Sequence, residues 1–231
     1  MMKYVVSLEG HGMNNVEYAT DVVVQAGEVQ LDGNLVVPGL AKGLVVFVHG
    51  SGSSRFSPRN QYVAGVLNGG GLATLLFDLL TADENEIDML TRELRFDIGL
   101  LSERITATVD WLTSQEAVSS LPIGLFGSST GAAAALNAAA ARPERVSAVV
   151  SRGGRPDLAM KALPNVKAPT LMLVGGLDYQ VIDMNRSAAN AMQAPCQIEI
   201  VEGATHLFGE PGKLEQVAAR VRDWFLEQFD E

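Results

Sequence analysis

Short apolar runs alternate along this chain with longer segments whose apolar positions recur every three or four residues. Residues 44–48, 72–77, 123–126, 146–150 and 170–174 are nearly pure runs of this kind. Val, Leu and Ile without alternation mark strands covered on both faces, as a parallel sheet requires. Residues 197–201 alternate more and are expected at a sheet edge. Closer to the N-terminus, Val22 to Val24, Val29 to Leu31 and Leu35 to Val37 read as two or three antiparallel strands, with a hairpin turn at Asp32-Gly33. Between the runs lie helical patterns at about 56–69, 92–113, 130–141, 185–192 and 213–229. In the second of these, Leu94, Ile98, Leu101, Ile105, Val109 and Leu112 form one stripe. Met89, Phe96, Trp111, Trp224 and Phe225 also fall at helical spacing and are expected in the core.

Strands alternating with helices imply right-handed crossovers and a mostly parallel α/β sheet of about eight strands in a single domain. Residues 1–15 fit neither pattern and are expected to form a flexible segment ahead of a domain at 16–231. The connection between the runs at 146–150 and 170–174 has room for little more than a short helix, so no cap domain is expected there.

Composition narrows the chemistry. The 231 residues are 47% hydrophobic and 19% charged, which suits an ordinary core. Lys plus Arg is 17 against 27 for Asp plus Glu, a formal net charge of -10. That balance argues against nucleic-acid partners and against docking on an anionic membrane. No stretch reaches the roughly 18 apolar residues of a membrane-spanning helix, and the first residues lack the apolar centre of a secretory signal. A cytoplasmic protein, monomer or homodimer, acting on a small molecule is expected. One cysteine makes no internal disulfide and no thiolate metal cage. Three histidines, His11, His49 and His206, are the whole supply for base catalysis.

The most informative segment is Gly127-Ser128-Ser129-Thr130-Gly131, a Gly-x-Ser-x-Gly pattern centred on Ser129 between an apolar run and an Ala-rich helix. A nucleophile on a sharp strand-to-helix turn needs small neighbours two residues away on each side, and the following helix turns N–H groups and positive dipole towards it. Such a turn also suits a phosphate cradle, but neither GxGxxG nor GxxxxGK[ST] is present. A nucleophilic Ser needs a base, and the base an orienting carboxylate. Gly175-Gly176-Leu177-Asp178 follows one later run, and Gly203-Ala204-Thr205-His206 follows the next. The order Ser, Asp, His results, each residue at the carboxyl edge of one sheet. Asp178 as a mere helix cap, and Asp183 as a rival acid, are the competing readings.

With these motifs the chain resembles the α/β-hydrolase fold, and its size the small dienelactone-hydrolase-like branch, over roughly residues 20–230. The resemblance implies Ser129 as nucleophile, His206 as general base and then acid, and Asp178 as orienting acid. It also implies an oxyanion hole from the backbone N–H groups of Ser51, in His49-Gly50-Ser51-Gly52, and of Thr130. No metal or organic cofactor is implied. Dienelactone hydrolases proper carry Cys at the nucleophile position, where this chain has Ser. Its one thiol, Cys196, precedes the last strand. The expected activity is therefore serine hydrolysis of a small ester or lactone through an acyl-enzyme. Acyl transfer to another acceptor and a non-catalytic ligand-binding scaffold are the alternatives.

Arg55 and Arg59 follow the His49 loop, and Arg152 and Arg155 follow the run at 146–150. All four are expected at the carboxyl edge, where they would clamp an anionic group of the substrate or brace loops through Asp78, Asp83, Glu84 or Asp157.

Overall fold

The computed structural model describes residues 16–230. The expected flexible segment at 1–15, His11 included, lies outside the described residues. The strands are β1 (Val16–Ala26), β2 (Val29–Pro38), β3 (Leu44–Val48), β4 (Ala73–Phe77), β5 (Ile123–Ser128), β6 (Val146–Arg152), β7 (Thr170–Gly175) and β8 (Cys196–Val201). They form one sheet in the order β1-β2-β4-β3-β5-β6-β7-β8. β1 and β2 pair antiparallel, as do β2 and β4, and the pairs from β4 to β8 are parallel. β8 stands at the edge, as its alternation predicts.

Helices cover both faces and explain the pure apolar runs. Val46 and Val48 of β3 belong to the cluster that holds Leu101, Ile105 and Val109 of α3 (Ile98–Leu112) and the Ala-rich face of α4 (Thr130–Ala141). Val45 and Phe47, pointing the other way, pack with Val63 and Leu67 of α1 (Pro58–Gly69) and Val221 and Phe225 of α6 (Lys213–Phe229). Each such side chain contributes roughly 1.5–3 kcal/mol on burial, so neither face has room for polar alternation. The segment between Ser151 and Pro169 contains only two 3-10 turns, Pro156–Ala159 and Leu163–Asn165. No cap domain is inserted at this connection.

Four expectations need correction. The hairpin turn lies at Gly27-Glu28, not at Asp32-Gly33, because Leu31, Gly33 and Leu35 continue one alternation through β2 and Gly27 takes the positive φ of 67° that the turn needs. The helix expected at 92–113 is broken. α2 (Ala82–Thr91) ends at Arg92 in left-handed backbone, a 3-10 turn covers Leu94–Phe96, and Asp97 caps α3 by accepting the Leu100 N–H at 2.9 Å. Met89 and Phe96 are exposed, not core. The remaining helix, α5 (Tyr179–Ala191), starts directly after Asp178 rather than at 185.

Candidate active site

β5 delivers Ser129 to the carboxyl edge and α4 leaves from it. Ser129 has φ 51° and ψ -123°, a strained conformation for a residue with a side chain. The elbow is held because its neighbours permit nothing else. A Cβ on Gly127 would stand 2.4 Å from Ala132 Cα, and one on Gly131 would stand 2.3 Å from Val48 O and 2.5 Å from His49 O. The Ser129 N–H donates to Arg152 O at 3.2 Å, and the Ser129 carbonyl accepts from Arg155 N–H at 3.0 Å. β6 thereby locks the turn from the side.

The other two residues arrive from β7 and β8. Gly176 N–H donates to Val201 O at 2.9 Å and Leu177 N–H to Ala204 O at 3.0 Å, tying the two loops together. Asp178 occupies the N-cap position of α5 by sequence, yet its side chain makes no cap bond. Its Oδ2 lies 2.6 Å from His206 Nδ1, while Asp183 is an exposed residue 3.5 Å from Arg186. Asp178 is thus paired with His206 rather than capping its own helix, and Asp183 is paired with Arg186. His206 Nε2 is 3.4 Å from Ser129 Oγ, a span that tightens as a nucleophile prepares to lose its proton. Glu210, which no sequence motif marks, accepts from Thr205 Oγ1 at 2.6 Å and Thr205 N–H at 3.1 Å and so fixes the loop of His206. The Thr205 hydroxyl holds the Glu210 carboxyl below its ordinary pKa.

On the facing side, the loop after β3 lies against the elbow, with a Gly50 Cβ position 3.1 Å from Ser129 Cβ. His49 Nδ1 is 3.0 Å from Gly50 O, and Leu79 N–H points to His49 Nε2 at 3.2 Å. Those two bonds together require a neutral ring with its hydrogen on Nδ1, and burial pushes the His49 pKa below 6.5. His49 is a loop brace, leaving His206 as the base candidate among the described residues. The Ser51 N–H, expected in the oxyanion hole, donates to Thr130 Oγ1 at 3.0 Å. The Thr130 N–H, at the start of α4, has no intrahelical acceptor.

The four arginines separate. Arg55 is bonded to Asp78, with Asp32 at 3.7 Å. Arg155 makes a two-pronged pair with Asp157, 2.8 Å at each prong. Both brace loops. Arg59 is exposed and Arg152 buried, and neither has an acidic partner within salt-bridge distance among the described residues. A cavity of about 610 Å³ opens beyond the Gly50-Ser51 wall, lined also by Asp78 to Ala82, Asp88 and Arg95. Arg95 was not anticipated. It sits in the 3-10 turn Leu94–Phe96 and is held by the buried Asp88 carboxylate of α2 at 2.5 Å, and the sequence signal for α2 was the capping box Thr81 to Glu84. Cys196 lies at the amino edge of β8, and burial pushes its thiol up to about 11, so it is no nucleophile at neutral pH. Among the described residues no group of three or more His, Cys, Asp or Glu side chains could hold a metal ion, and no helix is long and apolar enough to cross a membrane.

A crystal structure of a dienelactone hydrolase from Anabaena variabilis is 58% identical, with a TM-score of 0.90 over 91% of this chain and 97% of that one. Est1E from Butyrivibrio proteoclasticus, 17% identical, shares the fold at a TM-score of 0.77 over 91% of this chain and 99% of that one. Two Mycobacterium tuberculosis proteins, provisionally named phosphoribosyl transferases, are 54% identical over 209 residues. That match takes in 90% of this chain and only 46% of theirs, so the chain spans about half the length of these curated relatives. A family model described as the dienelactone hydrolase family matches residues 63–230, and with an α/β sheet, an elbow and a full-length relative in agreement, the chain belongs to the dienelactone hydrolase family.

Proposed function

We propose that this protein is a serine hydrolase that cleaves small esters or lactones by acyl transfer to Ser129 and then to water. The observation that carries the reading is the continuous relay from Asp178 through His206 to Ser129, at 2.6 Å and 3.4 Å, on an elbow held at positive φ. Ser129 Oγ attacks the substrate carbonyl while His206 Nε2 takes its proton. The carboxylate of Asp178 receives the Nδ1–H, keeping the correct tautomer and stabilising the imidazolium that forms. The carbonyl oxygen, now anionic, is held by backbone N–H of Thr130 and Ser51, each donor being worth ~3 kcal/mol in the transition state. The proton on Nε2 passes to the leaving alkoxide, and an acyl-enzyme remains. His206 then takes a proton from water, which attacks the acyl carbon and releases the acid and free Ser129.

Exposed Leu177, Tyr179 and Leu207 flank Asp178 and His206 and give the mouth an apolar rim. With only two 3-10 turns above the sheet at the usual place of insertion, the site suits compact substrates with a short apolar acyl or alcohol part. The transferase name of the Mycobacterium tuberculosis relatives belongs to proteins that this chain half spans, and the relay favours acyl over phosphoribosyl transfer. Hydrolysis of p-nitrophenyl acetate and butyrate by the purified protein, lost in Ser129→Ala, is the expected result. Equal turnover by wild type and Ser129→Ala would overturn the reading.

A further inference from the structure

Arg152 stands out from the other buried or half-buried arginines. Arg55, Arg95, Arg104 and Arg155 are each paired with an aspartate or glutamate. Arg152 is the last residue of β6, opposite Ser128 in the parallel register, and its carbonyl accepts the N–H of Ser129. Only 8% of it is exposed. Among the described residues its guanidinium has no carboxylate within salt-bridge distance, and Nη1 is enclosed without any hydrogen-bond partner. The nearest compensation is the ring of Phe126, 5.5 Å from the guanidinium carbon. The charged neighbour is Arg59, of the same sign. Burial, and then that repulsion, push the Arg152 pKa down to about 10, so the group stays charged at neutral pH. Ser128, whose side chain shares that face of the sheet, also has a buried hydroxyl with no partner.

A buried cation without an acid is a costly arrangement that folded proteins avoid unless a ligand completes it. The cost is conspicuous in a chain with 27 acidic residues, where Arg155, three positions on, is paired with Asp157. A guanidinium presents a planar fork matched to carboxylate and phosphate oxygens. Resting on the hydrolase reading above, we propose that Arg152 binds an anionic group of the substrate, a carboxylate or a phosphate, with the exposed Arg59 drawing that group in and the Ser128 hydroxyl contributing a donor. Arg152 is thereby the residue that sets the charge preference of the Ser129 site. The four arginines of the carboxyl edge do two different jobs: Arg55 and Arg155 brace loops, and Arg152 with Arg59 selects the substrate.

The test compares a neutral ester, p-nitrophenyl butyrate, with its carboxylated counterpart, the p-nitrophenyl monoester of succinic acid. In wild type the carboxylated ester is expected to have the higher kcat/KM. Arg152→Gln is expected to lower the ratio of the two kcat/KM values about 10- to 100-fold, as loss of a charge-assisted hydrogen bond does. Arg152→Lys, which keeps the charge and loses the fork, should recover part of it, and Arg155→Gln should leave the ratio within about twofold. An unchanged ratio in Arg152→Gln overturns the proposal. A readout independent of turnover uses wild type and Arg152→Gln with succinate or inorganic phosphate. A rise in Tm that needs Arg152 is expected, and the stronger of the two anions identifies the chemistry. If Arg152→Gln does not fold, the wild-type arm decides: no effect of either anion on Tm or on butyrate hydrolysis at ~10 mM overturns the proposal. Failure of the hydrolase reading looks different, since neither ester is then turned over while anion binding persists.

Discussion

His206 meets Ser129 with its own support already in place, whereas the loop facing the substrate carbonyl meets it with a donor already engaged. On the first side, Asp178, the paired loops after β7 and β8, and Glu210 hold the His206 ring 3.4 Å from the Ser129 hydroxyl. On the second, Ser51 N–H is bonded to Thr130 Oγ1 at 3.0 Å, so a carbonyl oxygen must share or displace that hydroxyl. On the proposed mechanism, the difference means that the proton-transfer side is pre-assembled, while the oxyanion side shares its Ser51 donor with a side chain on α4. Preorganised donors cost no reorganisation during reaction. The Thr130 hydroxyl ties the loop after β3 to the start of α4 through the Ser51 N–H, and in the proposed mechanism it competes with the substrate oxygen for that donor.

The contrast can be broken from either side. Removing the proposed nucleophile has the largest effect: Ser129→Ala should lower kcat for p-nitrophenyl butyrate by roughly 10⁵- to 10⁶-fold in steady-state assays. Asp178→Asn should lower it by roughly 10³- to 10⁴-fold with KM little changed, because the imidazole loses the acceptor that sets its tautomer. Gly131→Ala attacks the join between the two sides. Its Cβ would fall 2.3 Å from Val48 O, so a loss of ~2–3 kcal/mol in chemical denaturation is expected. Thr130→Val tests the shared donor: kcat should fall about tenfold, and Thr130→Ser should restore it. A rise in kcat would mean that the hydroxyl only obstructs the hole.

The smallest effect concerns His49. Burial lowers its folded pKa below the ordinary 6.5, so the unfolded chain binds the proton more readily. The stability contributed by neutral His49 is therefore complete above pH ~6.5 and declines as pH falls below that value. Urea unfolding at pH 7.5 and 5.5 should show this loss in wild type and a smaller one in His49→Gln.

Much of the site was legible because its requirements are local in sequence. The elbow needs Gly127 and Gly131 at fixed spacing, and Asp178 and His206 follow their strands directly, so one template ordered all three. The parallel strands showed equally well, since burial on two faces removes polar positions from β3 and β5. α2 stayed hidden because Ile87, Met89 and Leu90 are exposed and form no stripe, leaving the capping box as its only mark. The displaced hairpin has a similar cause: Asp32-Gly33 carries a turn signature that cross-strand pairing with Val23 and Val22 overrides. The pairing of the arginines was beyond reach. Asp78 and Asp157 stood among the named candidates, but which cation each holds depends on loop geometry, and Arg152 is distinguished only by what lies around it.

Treating the folded protein with a fluorophosphonate probe and locating the adduct by mass spectrometry tests the central assignment most directly. Labelling confined to Ser129, and strongly slowed in His206→Ala, is the predicted result. A folded, unlabelled Ser129, or labelling that proceeds unchanged without His206, would contradict it.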